Sequence, residues 1–401
     1  MPTSRHQIDF DHHSPRFRDE CHRVIAELHS SGCPLGYAAS NGGFWAIYGY
    51  EAVSDAVHDT GLFSSAHSAQ QPKGIPPTLT PHPLVPIDYD GPSVQAFRRI
   101  TLARFSPGAA MAQEPWIRKI ATELIDEFIE RGTADLAQEL LIPLPARWIL
   151  GMLGWDQGSW ANWVASIHSV VHDRDHEPER SLAASIGIFD QITGELNRRR
   201  TSPRTDDVFS DLVHGEVDGR PLTDTEIIQY TFLLLLGGMD TTAGLTGNVL
   251  ELLTREPALR AQLTADPSLI DEGTEELLRH ESPSYGLYRT VTRDAVFHGQ
   301  PLRAGDRVIL MYPAAGLDPS IFDEPEEVRL ERSGNRHMAF ALGPHRCLGS
   351  HAARVMFRVM ISEILLRLPD YQISGAFERF EDAGDVYAIR YLPVRFTPAG
   401  R

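Results

Sequence analysis

Between Tyr230 and Met239 the run YTFLLLLGGM presents no continuous polar face, so a helix through it must be buried on all sides at its centre. Thr223 and Glu226, in TDTE just ahead of it, form a capping box, and Pro257 sits just past the far end. The roughly 34 residues between these signals would span about 50 Å at 1.5 Å per residue. Further upstream, GGFWAIYGYEAVSDAV alternates apolar and polar positions before changing to a helical spacing, which predicts a strand followed by a helix. Residues 70–92, QQPKGIPPTLTPHPLVPIDYDGP, carry seven prolines and cannot form a regular helix. A loop of that length in a compact protein commonly serves as a lid or binding loop. From Pro92 to about Arg279 the helical spacing dominates, with breaks expected at Pro107, Pro143, Pro178 and Pro203. After Pro283 it shortens into strand-like pieces such as RVILMYPA, and one more long helix follows Cys347 to about Leu368. The pattern predicts a mainly α protein with a minor β portion and no internal repeat.

Composition narrows the class. Three cysteines, Cys21, Cys33 and Cys347, do not make the disulfide framework of a secreted protein. The N-terminal MPTSRHQIDFDHHSP has no apolar run, so neither a signal peptide nor a membrane anchor is expected. The longest nearly unbroken apolar run is about half of what a spanning helix needs on the roughly 20-residue rule. A cytoplasmic protein of a reducing compartment is the expectation. The formal net charge of −17 argues against nucleic acid as a partner, because phosphate binding needs a basic face.

Three local signals carry candidate chemistry. In GGMDTTAG, two adjacent glycines cost roughly 2 kcal/mol of helix propensity. Gly237 and Gly238 would let a flat group approach the helix backbone, or merely allow close helix packing. Asp240, Thr241 and Thr242 would interrupt the hydrogen-bond ladder to hold water or a ligand, or bond internally. Glu276 and Arg279 are three apart, hence on one face with the spacing of an ion pair, although such pairs are common on surfaces. The third signal is MAFALGPHRCLGSHAAR. Its Cys347 suits a buried apolar residue, half of a disulfide, a zinc ligand, a nucleophile or a haem ligand. A zinc set of His345, Cys347 and His351 lacks a second ligand cluster nearby.

Taken in order, GGMDTT, Glu276-x-x-Arg279 and Phe340-x-x-Gly343-x-His345-x-Cys347-x-Gly349 resemble the cytochrome P450 superfamily, the haem-thiolate monooxygenases, in its soluble bacterial branch. The resemblance extends from GGFWAIYGY through YDGPSVQAFRRITLARFSP to GDRVILMYPAAGLDP and the last helix. It implies a single α-rich domain over residues 1–401, with the long central helix over the haem. It also implies haem b held by a Cys347 thiolate, which donates electron density and favours O–O cleavage. A helix N-terminus just beyond Cys347 would favour that thiolate, and Gly343 and Gly349 would permit the tight loop. Phe340 should pack beside it. His345, Arg289 and Arg98 match the haem-propionate partners, where guanidinium forks suit carboxylates. Glu276, Arg279 and Arg332 match a buried structural network, and Asp240 and Thr241 match an acid–alcohol pair that relays protons. Three positions depart from the family pattern: Val94 replaces a frequent histidine, Gly316-Leu317-Asp318 replaces Asn-Arg-Asp, and Ala341 stands where glycine often follows the phenylalanine.

The implied reaction uses dioxygen and NAD(P)H-derived electrons, delivered through a separate ferredoxin and ferredoxin reductase, to hydroxylate a medium-sized hydrophobic or aromatic molecule. A monomer is expected. Substrate would be walled by loop 70–92, by Leu233, Leu236 and Gly237, and by Ser284 to Leu287, including Tyr285. Arg99, Arg104, Arg346 and Arg358 would give the acidic chain a local basic patch for its donor. Oxidative coupling, nitration or peroxide-driven oxidation on the same fold, and a non-catalytic haem carrier, are the alternatives. An intact Asp240-Thr241 argues against the peroxide-driven and carrier readings.

Overall fold

Four prolines of the helical region begin helices, and Pro203 lies in the loop past the end of one. In the computed structural model, which describes residues 5–66, 83–173, 176–382 and 384–400, Pro92, Pro107, Pro143 and Pro178 each occupy a first turn. There the missing N–H has no intrahelical partner to lose and the fixed φ already suits a helix. Most of the proline-rich stretch, residues 67–82, lies outside the described residues. Its last part, around Pro86 and Ile87, turns back into the body of the protein.

The elements that position the site are, in chain order, strands β1 (Gln7–Ile8), β2 (Leu35–Ala38) and β3 (Phe44–Ile47), helix α1 (Tyr50–His58), strand β4 (Phe63–Ser64) and helix α2 (Pro92–Thr101). Helices α3 (Pro143–Met152), α4 (Trp160–His172), α5 (Pro178–Arg200), α6 (Asp224–Met239), α7 (Thr241–Arg255) and α8 (Leu269–His280) follow. Strands β5 (Leu287–Val291) and β6 (Arg307–Leu310) and helix α9 (Ser350–Arg367) complete the set.

The six strands form one mixed sheet in the order β1-β2-β3-β6-β5-β4. β3 and β6 lie side by side in parallel at its centre, with Trp45 opposite Val308 and Ala46 opposite Ile309. All four residues of β3 are buried, so its alternation separates two cores rather than core from solvent. Trp45 and Ile47 enter one apolar cluster with α1, whereas Phe44 and Ala46 enter another with the N-terminal segment.

The long helix is present with the ends its sequence signals. The Thr223 hydroxyl accepts from the Glu226 amide at 3.2 Å, and the Glu226 carboxylate accepts from the Thr223 amide at 2.8 Å. α7 ends at Arg255, before Pro257. Between α6 and α7 the run is interrupted at Asp240 (φ −100, ψ −34). The hydroxyl of Thr241 donates back to the Gly237 carbonyl at 3.0 Å, the i−4 pattern that bends helices. The two glycines play different parts. A Cβ at Gly238 would meet Ile149 of α3 at 3.1 Å, so this glycine allows close helix packing. A Cβ at Gly237 would meet nothing within 4 Å, because that position opens on a cavity.

Candidate active site

Cys347 stands at the end of a tight loop before α9. Its amide donates to the Phe340 carbonyl at 2.8 Å, closing the loop on itself. Gly343 has φ +64, and a Cβ there would press on Val57 of α1 at 3.1 Å, so glycine is required twice over. Ala341 also sits at φ +54, a left-handed conformation that costs an alanine about 1–2 kcal/mol. At Gly349 the demand is milder, since a Cβ would lie 4.0 Å from the Cys347 sulfur, an ordinary contact. The Cys347 side chain is exposed to the cavity, yet protein walls it. This desolvation pushes the thiol pKa up. The Gly349 N–H and the charges of Arg98, Arg354 and Arg346 pull the other way.

The cavity, about 290 Å³, brings together most of the residues singled out in the sequence. Arg98 from α2, Leu233 and Gly237 from α6, Thr241 from α7 and Leu287 from β5 all line it, with Phe340, His345, Cys347 and Gly349 from the cysteine segment. Besides Gly286, five expected residues do not line it. Leu236 is turned off the 233/237/241 face and packs in the helical core. Tyr285 is 1% exposed, with its ring 4.4 Å from Phe17 and 5.6 Å from Tyr387. It lies on the opposite side of the extended segment from the lining residue Ser284. Arg289 is buried close enough to His345 to influence it, and Gly343 shapes the loop from behind. Asp240 is the fifth and is treated below.

Trp148 and Ile149 of α3 also line the cavity. Sequence reasoning missed them because α3 is buried along nearly its whole length and reads as plain core. A larger hollow of about 740 Å³ lies elsewhere, around Arg18, His22, Arg255 and Arg379. Cys21 borders it, but its walls are mostly charged and lack the apolar lining that haem chemistry needs.

Burial, helped by Arg289 and Arg98 and opposed by Asp90, pushes His345 down to about 4. It is therefore a neutral imidazole at pH 7, 3.1 Å from the Ser65 hydroxyl and able to donate to a carboxylate. Val94, in the helix that carries Arg98, is fully buried and has no donor to add. The donor set is thus a thiol, a guanidinium and an imidazole around an apolar slot whose helix wall lacks a side chain at Gly237. That combination fits a haem with a thiolate ligand and two propionates. It does not fit zinc: among the described residues His345, Cys347 and His351 are not within reach of one ion.

The carboxylate of Asp240 turns away from the cavity toward α4. It is 3% exposed, with Oδ1 2.8 Å from His168 Nε2 and Oδ2 3.6 Å from His172 Nε2. Burial alone would raise its pKa, but the two histidines outweigh that and hold it well below the usual carboxylate range.

Behind the cysteine loop, Glu276 and Arg279 form no surface pair. Their side chains are 1% and 0% exposed, and two parallel 2.8 Å bonds join them. Arg332 adds a 2.9 Å bond to the same carboxylate, the Arg329 amide one of 3.0 Å and Asn335 another of 3.0 Å. Arg279 then donates to the carbonyls of Gly316, Pro325 and Glu327, tying α8 to the segment that leads into the cysteine loop. The expected basic patch is smaller than four arginines. Arg104 is taken up by Asp206 and Asp211, and Arg358 by Asp271, which leaves Arg99 and Arg346 exposed.

Comparison with known proteins agrees with this geometry. A family model described as Cytochrome P450 matches residues 137–369. The steroid C26-monooxygenase of Mycolicibacterium smegmatis is 35% identical over 358 residues, 87% of this chain and 87% of that protein. The crystal structure of CYP109E1 from Bacillus megaterium in complex with testosterone superposes with a TM-score of 0.87 at 26% identity, covering 96% of this chain and 100% of that one. HmtN, a hydroxylase of himastatin biosynthesis, superposes with a TM-score of 0.80 at 28% identity, covering 93% and 97%.

Proposed function

Because this chain belongs to the cytochrome P450 family and is one of its monooxygenases, we propose that it hydroxylates a medium-sized hydrophobic molecule of steroid-like bulk. The observation that carries this is the cavity itself, where a thiol and a hydroxyl-bearing residue meet on largely apolar walls, with Arg98 and His345 placed for the propionates. Relatives named for steroid and natural-product oxidation support the size class. The reading includes a single domain over residues 1–401, a cytoplasmic monomer and electrons from an external ferredoxin and its reductase. Arg99 and Arg346 are its candidate donor contacts. No described helix is long and apolar enough to cross a membrane.

Cys347 would hold the haem iron, and Arg98, His345 and Arg289 its propionates. When bound, the haem supplies dioxygen activation and oxidation of an unactivated C–H bond. The chain's own residues do the rest. Trp148, Leu233 and Leu287 exclude water and hold an apolar substrate by contact area. Gly237 leaves room beside the helix backbone. Thr241 lines the cavity, and the Asp240 carboxylate, ionised at neutral pH, stands one residue away as the acid end of the relay.

Two results are expected. Testosterone and other fused-ring apolar compounds should shift the ferric Soret band toward the high-spin form, whereas small carboxylates such as benzoate should not. A shift seen only with the small charged compounds would overturn the size class. With a surrogate ferredoxin system, Thr241→Ala should bind substrate within about twofold of wild type, since one hydroxyl on an apolar wall contributes little binding energy. Most of its reducing equivalents should go to peroxide or water. Product per NAD(P)H at the wild-type level would refute the relay role of Thr241.

A further inference from the structure

We infer that His168 on α4 loads Asp240 with the protons it relays, and that His172 on the same helix holds the carboxylate in position. The inference rests on the relay reading of Asp240 and extends it outward to solvent. His168 and His172 are four apart, on one face of a helix that packs against α6. They meet Asp240 where the long helix is interrupted, one on each carboxylate oxygen.

Their environments differ in a way that assigns different tasks. His172 is fixed: its ring stacks on Phe380 at 3.7 Å and 7°, and its Nδ1 lies 3.0 Å from the Asp382 carbonyl. A carbonyl can only accept, so Nδ1 carries the hydrogen. In neutral His172 the Nε2 that faces Asp240 Oδ2 is therefore a lone pair opposite a lone pair. Both atoms are buried, and they make no hydrogen bond. A proton between them, on either partner, converts that opposition into an attraction. His168 keeps 18% of its side chain exposed while its Nε2 reaches Oδ1 at 2.8 Å. It spans solvent and a carboxylate that is otherwise sealed off. Among the described residues, charged groups beside the pair include Asp240 itself, the adjacent Asp173, and Asp382, whose carboxylate takes a 2.8 Å contact from His13.

The transfer balances, and the acid form of Asp240 is transient, because the same contacts favour its carboxylate. The Nε2–H bond of His168 imidazolium breaks and an O–H bond forms on Asp240, giving neutral imidazole and carboxylic acid. No electrons change hands, and His168 regains its proton from solvent. His172 meanwhile orients the second oxygen.

His168→Gln keeps a donor to Oδ1 but moves no proton, and His168→Arg keeps both donor and charge but never gives its proton up. Both are compared with Asp240→Asn in the holoenzyme, for coupling, solvent deuterium isotope effect and substrate affinity from the spin shift. The expected result is several-fold lower coupling and a larger isotope effect in all three, with substrate affinity unchanged. Wild-type coupling in His168→Arg would reduce His168 to an electrostatic anchor and overturn the inference. Wild-type coupling in both His168 variants but not in Asp240→Asn would also overturn it and leave the relay intact. Wild-type coupling in all three would sink the relay reading itself. A second readout needs no turnover: NMR of the imidazole ring signals in the diamagnetic ferrous–CO protein. Asp240→Asn should move the His168 ring signals, because the group 2.8 Å from its Nε2 changes from carboxylate to amide. Unmoved signals would refute the contact.

Discussion

Cys347→Ser is expected to abolish the strongly red-shifted Soret band of the ferrous–CO form completely while the folded protein still takes up some haem. A serine oxygen donates far less electron density to iron than a thiolate does, so the electronic signature goes with the sulfur. Uptake should persist because much of the site is untouched. Arg98 and His345 remain, and the loop is closed by a backbone bond from residue 347 to Phe340 that serine makes equally well. Neither other cysteine can substitute: Cys21 is 6% exposed within the N-terminal cluster, and Cys33 lies against Leu35, and neither lines the cavity. The absorbance spectrum of the reduced, CO-treated variant decides it. A retained red-shifted band would remove Cys347 as the ligand.

Glu276→Ala is expected to destabilise the fold by about 3–5 kcal/mol, the usual consequence of stripping one partner from a buried ion pair. Against a typical total of about 5–15 kcal/mol, such a loss is a large fraction of the stability. The geometry explains the size. One carboxylate accepts bonds from Arg279, Arg332, Asn335 and the Arg329 amide, so its removal strands two guanidinium groups, one of them wholly buried. Glu276→Gln should lose less, because the amide oxygen still accepts. The pH dependence has a definite sign. Burial raises the Glu276 pKa but the hydrogen bonds and charge of Arg279 outweigh it, and the net shift is downward. The carboxylate's stabilisation is therefore complete above its unfolded pKa of about 4.3 and is lost as pH falls through the folded value. Urea unfolding midpoints of wild type and Glu276→Ala should accordingly converge as the pH is lowered. A Glu276→Ala protein within about 0.5 kcal/mol of wild type at pH 7, the usual range for surface changes, would show that the network is not structural.

How much of this was legible in the sequence depends on how local each cause is. The capping box at Thr223, the end of the long helix before Pro257 and the tight loop at Gly343 follow from the conformational preferences of a few neighbouring residues. The cysteine segment is of the same kind, since its cysteine and glycines lie within ten residues. The sequence alone therefore determined the mainly α class, the family and the cysteine that would hold the iron.

Direction in space was not legible. GGMDTT reads identically whether its glycines admit a ligand or a neighbouring helix, and the answer splits between adjacent positions: Gly237 toward the cavity, Gly238 against Ile149. Asp240 and Thr241 are consecutive, yet about 100° of helix rotation sets Thr241 on the cavity wall and sends the carboxylate out to α4. Tyr285 was expected on the wall because it sits beside Ser284, and an extended backbone put it on the other side. The pairing of Asp240 with His168 joins residues 72 positions apart, and no local spacing announces it. What only the tertiary structure decided is which face of each element meets which partner, because that is set by long-range packing and not by the preferences of neighbours along the chain.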